Sequence, residues 1–213
     1  GWALPITEYT ASYSTAIVHQ GLRSLRTGIL NPLENRYSYS AGRQTVTIPS
    51  GIASANLIFY LYPISTEVAT KPEIPELPKT FTIGETILSG DAQYVVVTDL
   101  AGTVKKSLVW QKNNSAAWQG YSFDMTQFAG QTIQLHFGTY NDGAAGITSL
   151  YVDDVIFQLC PSVIVPTPTP APVICGNLLL NESFETNLGW EIPVTAYSAG
   201  YSTVRSYSGT RSM

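Results

Sequence analysis

Residues 1–25 return, without a gap, as residues 189–213. GWALPITEYTASYSTAIVHQGLRSL lies over GWEIPVTAYSAGYSTVRSYSGTRSM at a constant offset of 188, and 12 of the 25 positions are identical. The shared positions include Gly1/Gly189, Trp2/Trp190, Pro5/Pro193, Tyr9/Tyr197, Tyr13/Tyr201 and the turn residues Gly21/Gly209 with Arg23-Ser24/Arg211-Ser212. A repeat of this kind means one structural unit used twice. The second copy is preceded by NLLLNESFETNL, for which the first copy has no room. The expected organisation is therefore a near-complete unit over 1–160 short of its first strand, a joint over 161–175, and the opening of a second unit over 176–213.

Within unit one, apolar and polar residues alternate in short runs separated by Gly, Pro, Asn and Asp, and no segment holds a helical period over three turns. That pattern predicts an all-β chain. Strands are expected at 16–18, 43–48, 57–62, 94–98, 103–110, 117–124, 132–138 and 150–159, with Asp142-Gly143 turning between the last two. Leu57, Phe59 and Leu61 share one face of a strand whose other face carries Ile58, Tyr60 and Tyr62, as expected for a central, covered strand. Residues 65–79 hold Pro72, Pro75 and Pro78, which cannot donate to a ladder, and read as a long surface loop. Strands at this spacing, joined by long connections, describe a two-sheet jelly-roll sandwich.

Only 12% of residues are charged, about half the usual ~25%. The net charge is −4, and the Lys and Arg residues are scattered, so no basic stripe points to nucleic acid or an anionic membrane. No apolar run approaches the ~20 residues that span a bilayer. The chain begins at Gly rather than Met and shows no signal peptide, which reads as a mature or excised piece, or equally as an arbitrary boundary.

Cys160 and Cys175, the two cysteines of the chain, bracket the joint PSVIVPTPTPAPVICGN. If they pair, they close a loop worth ~3 kcal/mol in the chain-entropy model, and they suit an oxidising, extracellular setting. Alternating Pro and Thr otherwise favours an extended polyproline II spacer. The two readings exclude each other, because a disulfide needs Cα atoms within ~7 Å.

AWQGYSFDMTQFAGQTIQLHFGTYNDGAAGITSLYVDDVIF resembles the closing half of the carbohydrate-binding-module-like or MAM-like jelly-roll domains that occur as tandem repeats in large secreted bacterial proteins. Those domains open on an Asn-x-x-Phe-Glu strand followed by Gly-Trp, as NESFETNLGW does at 181–190. They continue through a Gly-x-Arg-Ser turn and close on an aromatic-Val-Asp-Asp-Val strand, here Tyr151 to Val155. Such modules serve as sugar binders, adhesive repeats and spacers, so the likeness bears on fold more than on function.

In the closing strand, simple alternation puts Tyr151, Asp153, Val155 and Phe157 on one face, so Asp153 is expected to point toward the core. A carboxylate there needs a partner, either a hard cation with oxygen ligands or backbone N–H groups at a strand end. The resemblance implies a structural calcium ion near Asp153 and the Glu of the opening strand, here Glu185, although unit one has no such Glu of its own.

Sugar binding would require aromatic rings in a row on one sheet face. Tyr37, Tyr39, Tyr60, Tyr62, Tyr94, Trp110 and Trp118 are candidates, but the same rings also suit cores and interfaces. Asn113 and Asn181 begin N-glycosylation sequons. The chain has two histidines: His19 is replaced by Tyr207 in the repeat, and His136 reads as a solvated strand residue. Neither G-x-S-x-G nor H-E-x-x-H occurs, and no catalysis is expected.

Two functions from different classes follow. The first is a self-assembling extracellular subunit of a surface filament, in which Leu178, Leu179, Leu180 and Phe184 of one chain complete the sandwich of an identical or homologous neighbour, head to tail. The second is a carbohydrate-binding module of a secreted enzyme or adhesin, with glycans as partners.

Overall fold

The computed structural model describes residues 1–67, 90–162 and 176–177. Cys175, Leu178, Leu179, Leu180, Asn181, Phe184 and Glu185, together with most of the proline-bearing loop, lie outside the described residues.

Two antiparallel sheets face one another. Their strands are β1 (Ser12–Ser14), β2 (Ser24–Gly28), β3 (Tyr37–Thr47), β4 (Ile52–Ser65), β5 (Ala92–Thr98), β6 (Val104–Gln111), β7 (Gln119–Asp124), β8 (Thr132–Asp142), β9 (Thr148–Pro161) and β10 (Gly176–Asn177). One sheet runs β1-β2-β9-β4-β7, with β10 also on β9; the other runs β3-β8-β5-β6. The architecture is the all-β sandwich that the alternation predicts.

Period-two patterning builds the core directly. On β4, Ala55, Leu57, Phe59 and Leu61 are fully buried while Ile58, Tyr60 and Tyr62 are half-buried on the outer side. Opposite them, Val95, Val97, Ile133, Leu135 and Phe137 turn inward from the four-stranded sheet. Phe137 meets Phe59 edge-on at 5.0 Å and Trp2 at 5.2 Å. The Trp of the repeated Gly-Trp pair is thus a core residue. Its segment is held by reciprocal backbone bonds between Ala3 and Arg43, at 2.7 and 2.8 Å.

The ends of the chain hold two departures from expectation. Residues 16–18, expected as a strand, lie in the connection between β1 and β2, two short strands that the sequence pattern does not show. β9 is flanked by β4 along its length. On its other side β2 pairs with Ser149–Val152, and Gly176–Asn177 pairs with Leu159 and Gln158. The described start of the tail therefore sits beside the closing strand of its own chain. Cys160, next to this pairing, is disulfide-bonded, and Cys175 is the other cysteine of the sequence.

Between Ile58/Ile156 and Tyr60/Asp153 the β4–β9 register slips by one residue, a β-bulge in which Asp154 takes φ +48°. This bulge overturns the expected face of Asp153. Leu150 and Val152 point inward before it, and Val155 and Phe157 point inward after it, so Tyr151 and Asp153 face outward. The extra residue resets the alternation that the sequence pattern assumes to be unbroken.

Candidate functional site

The outer face of the six-stranded sheet carries a row of rings. Tyr60 and Tyr62 stand two residues apart on β4, so they project from the same side. Tyr60 lies over Gly120 of β7, where an added Cβ would sit 3.0 Å from its Cε1 and crowd the ring. His19 stacks on Tyr60, with centroids 3.9 Å apart and planes 18° apart, and meets Trp118 at 5.4 Å. Trp118 in turn meets Tyr62 edge-on at 5.5 Å, and Tyr62 meets the buried Tyr151 at 6.3 Å. Tyr60, Tyr62, Trp118 and His19 are all half-buried.

Two consecutive aspartates of the bulge fix the loop that brings His19 here. Asp153 Oδ2 accepts the backbone N–H of His19 at 2.8 Å and of Gln20 at 3.3 Å, and its Oδ1 accepts the N–H of Asp154 at 2.8 Å. Asp154 Oδ2 lies 2.5 Å from His19 Nδ1. Burial pushes the Asp153 carboxyl up to about 6, with the neighbouring Asp154 charge acting the same way and the His19 N–H opposing both. Asp153 thus has the backbone N–H partners that were one of its two expected alternatives. Glu185, its other expected calcium ligand, lies outside the described residues.

Tyr37, Tyr39, Tyr94 and Trp110 fall on a different surface, the outer face of the four-stranded sheet, where Tyr140 joins them. Tyr94 stacks with Trp110 at 5.6 Å, and Tyr39 leans on Tyr140 at 4.8 Å. Tyr94 also fills the space over Gly138, where a Cβ would come within 2.4 Å of its ring. Tyr39, Tyr94 and Tyr140 are at most 1% exposed. Burial drives the phenols of Tyr39 and Tyr94 far above their ordinary range. Tyr39, Tyr94, Tyr140 and Trp110 thus form a closed second core, with the half-buried Tyr37 at its edge. The seven candidate aromatics therefore divide between opposite sides of the molecule, which a single sequence cannot show.

His136 belongs to the closed side, which corrects its reading as a solvated residue. It is 3% exposed, and its Nε2 lies 3.1 Å from Thr98 Oγ1. Burial, then the charge of Arg43 opposite it on β3, pulls it down to about 4, so the ring is neutral at ordinary pH.

At Asn113, Nδ2 donates to Gln119 Oε1 at 3.3 Å and Oδ1 accepts the N–H of Ser115 at 2.9 Å. The nitrogen of that sequon is thus engaged within the fold. Sequence reasoning missed one cluster altogether: Glu67, Asp91 and Asp142 bring their carboxylates together at the end of the sheet where β5 begins and β8 ends. They come from three distant segments, and no spacing pattern announces them.

No family model matches the chain. Pre-pro-metalloprotease PrtV of Vibrio cholerae serotype O1 is 25% identical to it over 140 residues, which is 61% of this chain. The chain spans 14% of that relative's length. Among solved structures, TmCBM61 in complex with β-1,4-galactotriose aligns with a TM-score of 0.42 and 13% identity, over 69% of this chain and 80% of that one. The CBM22-1 xylan-binding domain of Paenibacillus barcinonensis Xyn10C aligns with a TM-score of 0.39 and 14% identity, over 76% and 88%. These neighbours are carbohydrate-binding modules.

Proposed function

We propose that the sandwich is a non-catalytic carbohydrate-binding module of an extracellular protein, and that it holds sugar rings against Tyr62, Trp118 and the His19 ring that lies over Tyr60. The observation that carries this reading is the division of the aromatics: one group is sealed into a second core, and the other is left partly open as a row on one sheet face. Apolar ring faces flanked by a few placed polar groups suit a ligand with both C–H and hydroxyl surface. Here His19, braced by Asp154, stiffens the platform, and Asp153 holds the loop that carries it. A disulfide at Cys160 supports an oxidising compartment. Among the described residues no helix is long and apolar enough to cross a membrane.

The test is glycan-array screening of the whole chain, followed by calorimetry on the best ligand. Tyr60→Ala, which removes the support beneath His19, and Trp118→Ala are each expected to weaken binding ~5-fold, since one stacked ring is worth ~1 kcal/mol. Leu33→Ala, at an exposed leucine outside the row, should leave affinity unchanged. Absence of saturable binding to any glycan, or equal affinity in all three variants, sinks the reading.

In strand complementation between neighbours, residues 178–184 of one chain would fill the groove of the next, beyond the pairing of Gly176–Asn177 with that chain's own β9. Light scattering separates the two states: a single monomer mass fits complementation within one chain, and a ladder of multiples fits head-to-tail assembly.

A further inference from the structure

The geometry points to a divalent-cation site of the calcium type, formed by Glu67, Asp91, Asp142 and the side-chain oxygen of Asn141 at the end of the sandwich where β5 begins and β8 ends. It lies apart from the aromatic row and does not depend on sugar binding.

Four observations converge there. First, one carboxylate oxygen from each of Glu67, Asp91 and Asp142 lies within 4.8 Å of the others. Calcium binds oxygen at ~2.3–2.6 Å, so two ligands on opposite sides of one ion stand ~5 Å apart, and all three can reach a common ion.

Second, the charges do not balance. The Lys112 ammonium sits 2.5 Å from Glu67 Oε2, both side chains largely buried, so among the described residues three carboxylates face one cation and two negative charges remain.

Third, a buried acceptor is left over. Asn141 is 0% exposed, and its Nδ2 donates to Asp91 Oδ2 at 2.9 Å and to Thr148 O at 3.1 Å. Its Oδ1, on the same amide carbon, has no hydrogen-bond partner among the described residues. Leaving such an acceptor unpaired is costly, and a cation among the carboxylates would supply its partner.

Fourth, the carboxylates are already oriented. Asp142 Oδ2 accepts Gly90 N–H at 3.0 Å, Asp142 Oδ1 accepts Ala144 N–H at 2.7 Å, and Asp91 Oδ1 accepts Asp142 N–H at 2.8 Å. Each oxygen keeps a second lone pair for a metal. An all-oxygen donor set without His or Cys selects a hard cation over zinc. Calcium, with its adaptable coordination, suits such a set of side-chain oxygens better than the strictly octahedral magnesium.

The experiment is a thermal-unfolding titration of the whole chain, first stripped with EDTA, with CaCl2 and separately with MgCl2. Calcium is expected to raise Tm saturably and more than magnesium does. Asp142→Asn and Glu67→Gln, both isosteric, should each reduce the calcium response at least ~10-fold in apparent affinity. Lys112→Met removes the resident cation and should tighten calcium binding several-fold, a result that a purely structural ion pair would not give. A wild-type Tm indifferent to millimolar calcium overturns the proposal. So does a calcium response that persists unchanged in both carboxylate variants, or one that Lys112→Met leaves at wild-type affinity.

Discussion

Gly28→Ala is expected to destabilise the sandwich by on the order of 4 kcal/mol, adding left-handed backbone strain to overpacking. Gly28 ends β2 at φ +75°, where a side chain carries a steric penalty wherever it stands. A Cβ there would also come within 2.3 Å of the Thr148 carbonyl oxygen and 2.7 Å of Thr139 Cγ2. The carbonyl belongs to the backbone of β9 and has no rotamer by which to yield. The neighbouring Thr27 joins the two sheets through a buried 2.7 Å contact with Thr139, so any displacement is felt in both layers. Gly21 is the matched control: it has φ +70° with nothing within 4 Å of the place a Cβ would take, and Gly21→Ala should cost only the ~1–2 kcal/mol of backbone strain. Urea unfolding of both variants reads the difference. Equal costs would mean that the close approach at Gly28 is relieved at no expense.

His136→Gln is expected to reverse its effect on stability as the solution is acidified. The folded-state pKa of about 4 lies below the ordinary 6.5, so between these values the unfolded chain binds the proton more tightly. The contribution of neutral His136 is therefore complete above pH 6.5 and is lost as pH falls toward 4. At ~1.4 kcal/mol per pH unit the gap amounts to about 3 kcal/mol. Asp91 and Asp153 act oppositely, since their carboxyls are raised to about 6 and acidification from there favours the folded state. The wild-type profile mixes both signs, so the clean measurement is the difference between variant and wild type at pH 4, 5, 6 and 7. Glutamine should cost stability at pH 7, where the ring's packing is lost. Relative to wild type it should gain about 3 kcal/mol by pH 4. A difference that is flat with pH would mean that His136 can protonate in place.

Much of the fold was legible because the core follows a strict period of two. Leu57, Phe59 and Leu61 are buried, their neighbours are half-buried, and the Asp142-Gly143 turn falls where β8 ends. The repeat was informative as well: Trp2 is a core residue, and Gly21 adopts the left-handed backbone that its turn requires. What was hidden depends on contacts between distant strands. β1 and β2 are too short and polar to announce themselves, and the side of Asp153 turned on a single bulged residue. The closed and open aromatic groups differ by which sheet bears them, a property of topology. The same holds for His136, whose alternation correctly placed it away from Ile133, Leu135 and Phe137 but could not show that the outer face is covered.

The one-residue slip at Asp154 also constrains how the module can vary. Hydrophobic residues on either side of it are in opposite phase, so Tyr151 serves the ring-bearing surface and Phe157 serves the interior, although both occupy odd positions of one strand. Exchanging side chains along β9 keeps that arrangement, whereas an insertion or deletion between 153 and 155 transposes inside and outside for everything beyond it. For anyone grafting new recognition surfaces onto this frame, the segment is a hinge of grammar rather than of motion: its letters can change, but its count cannot.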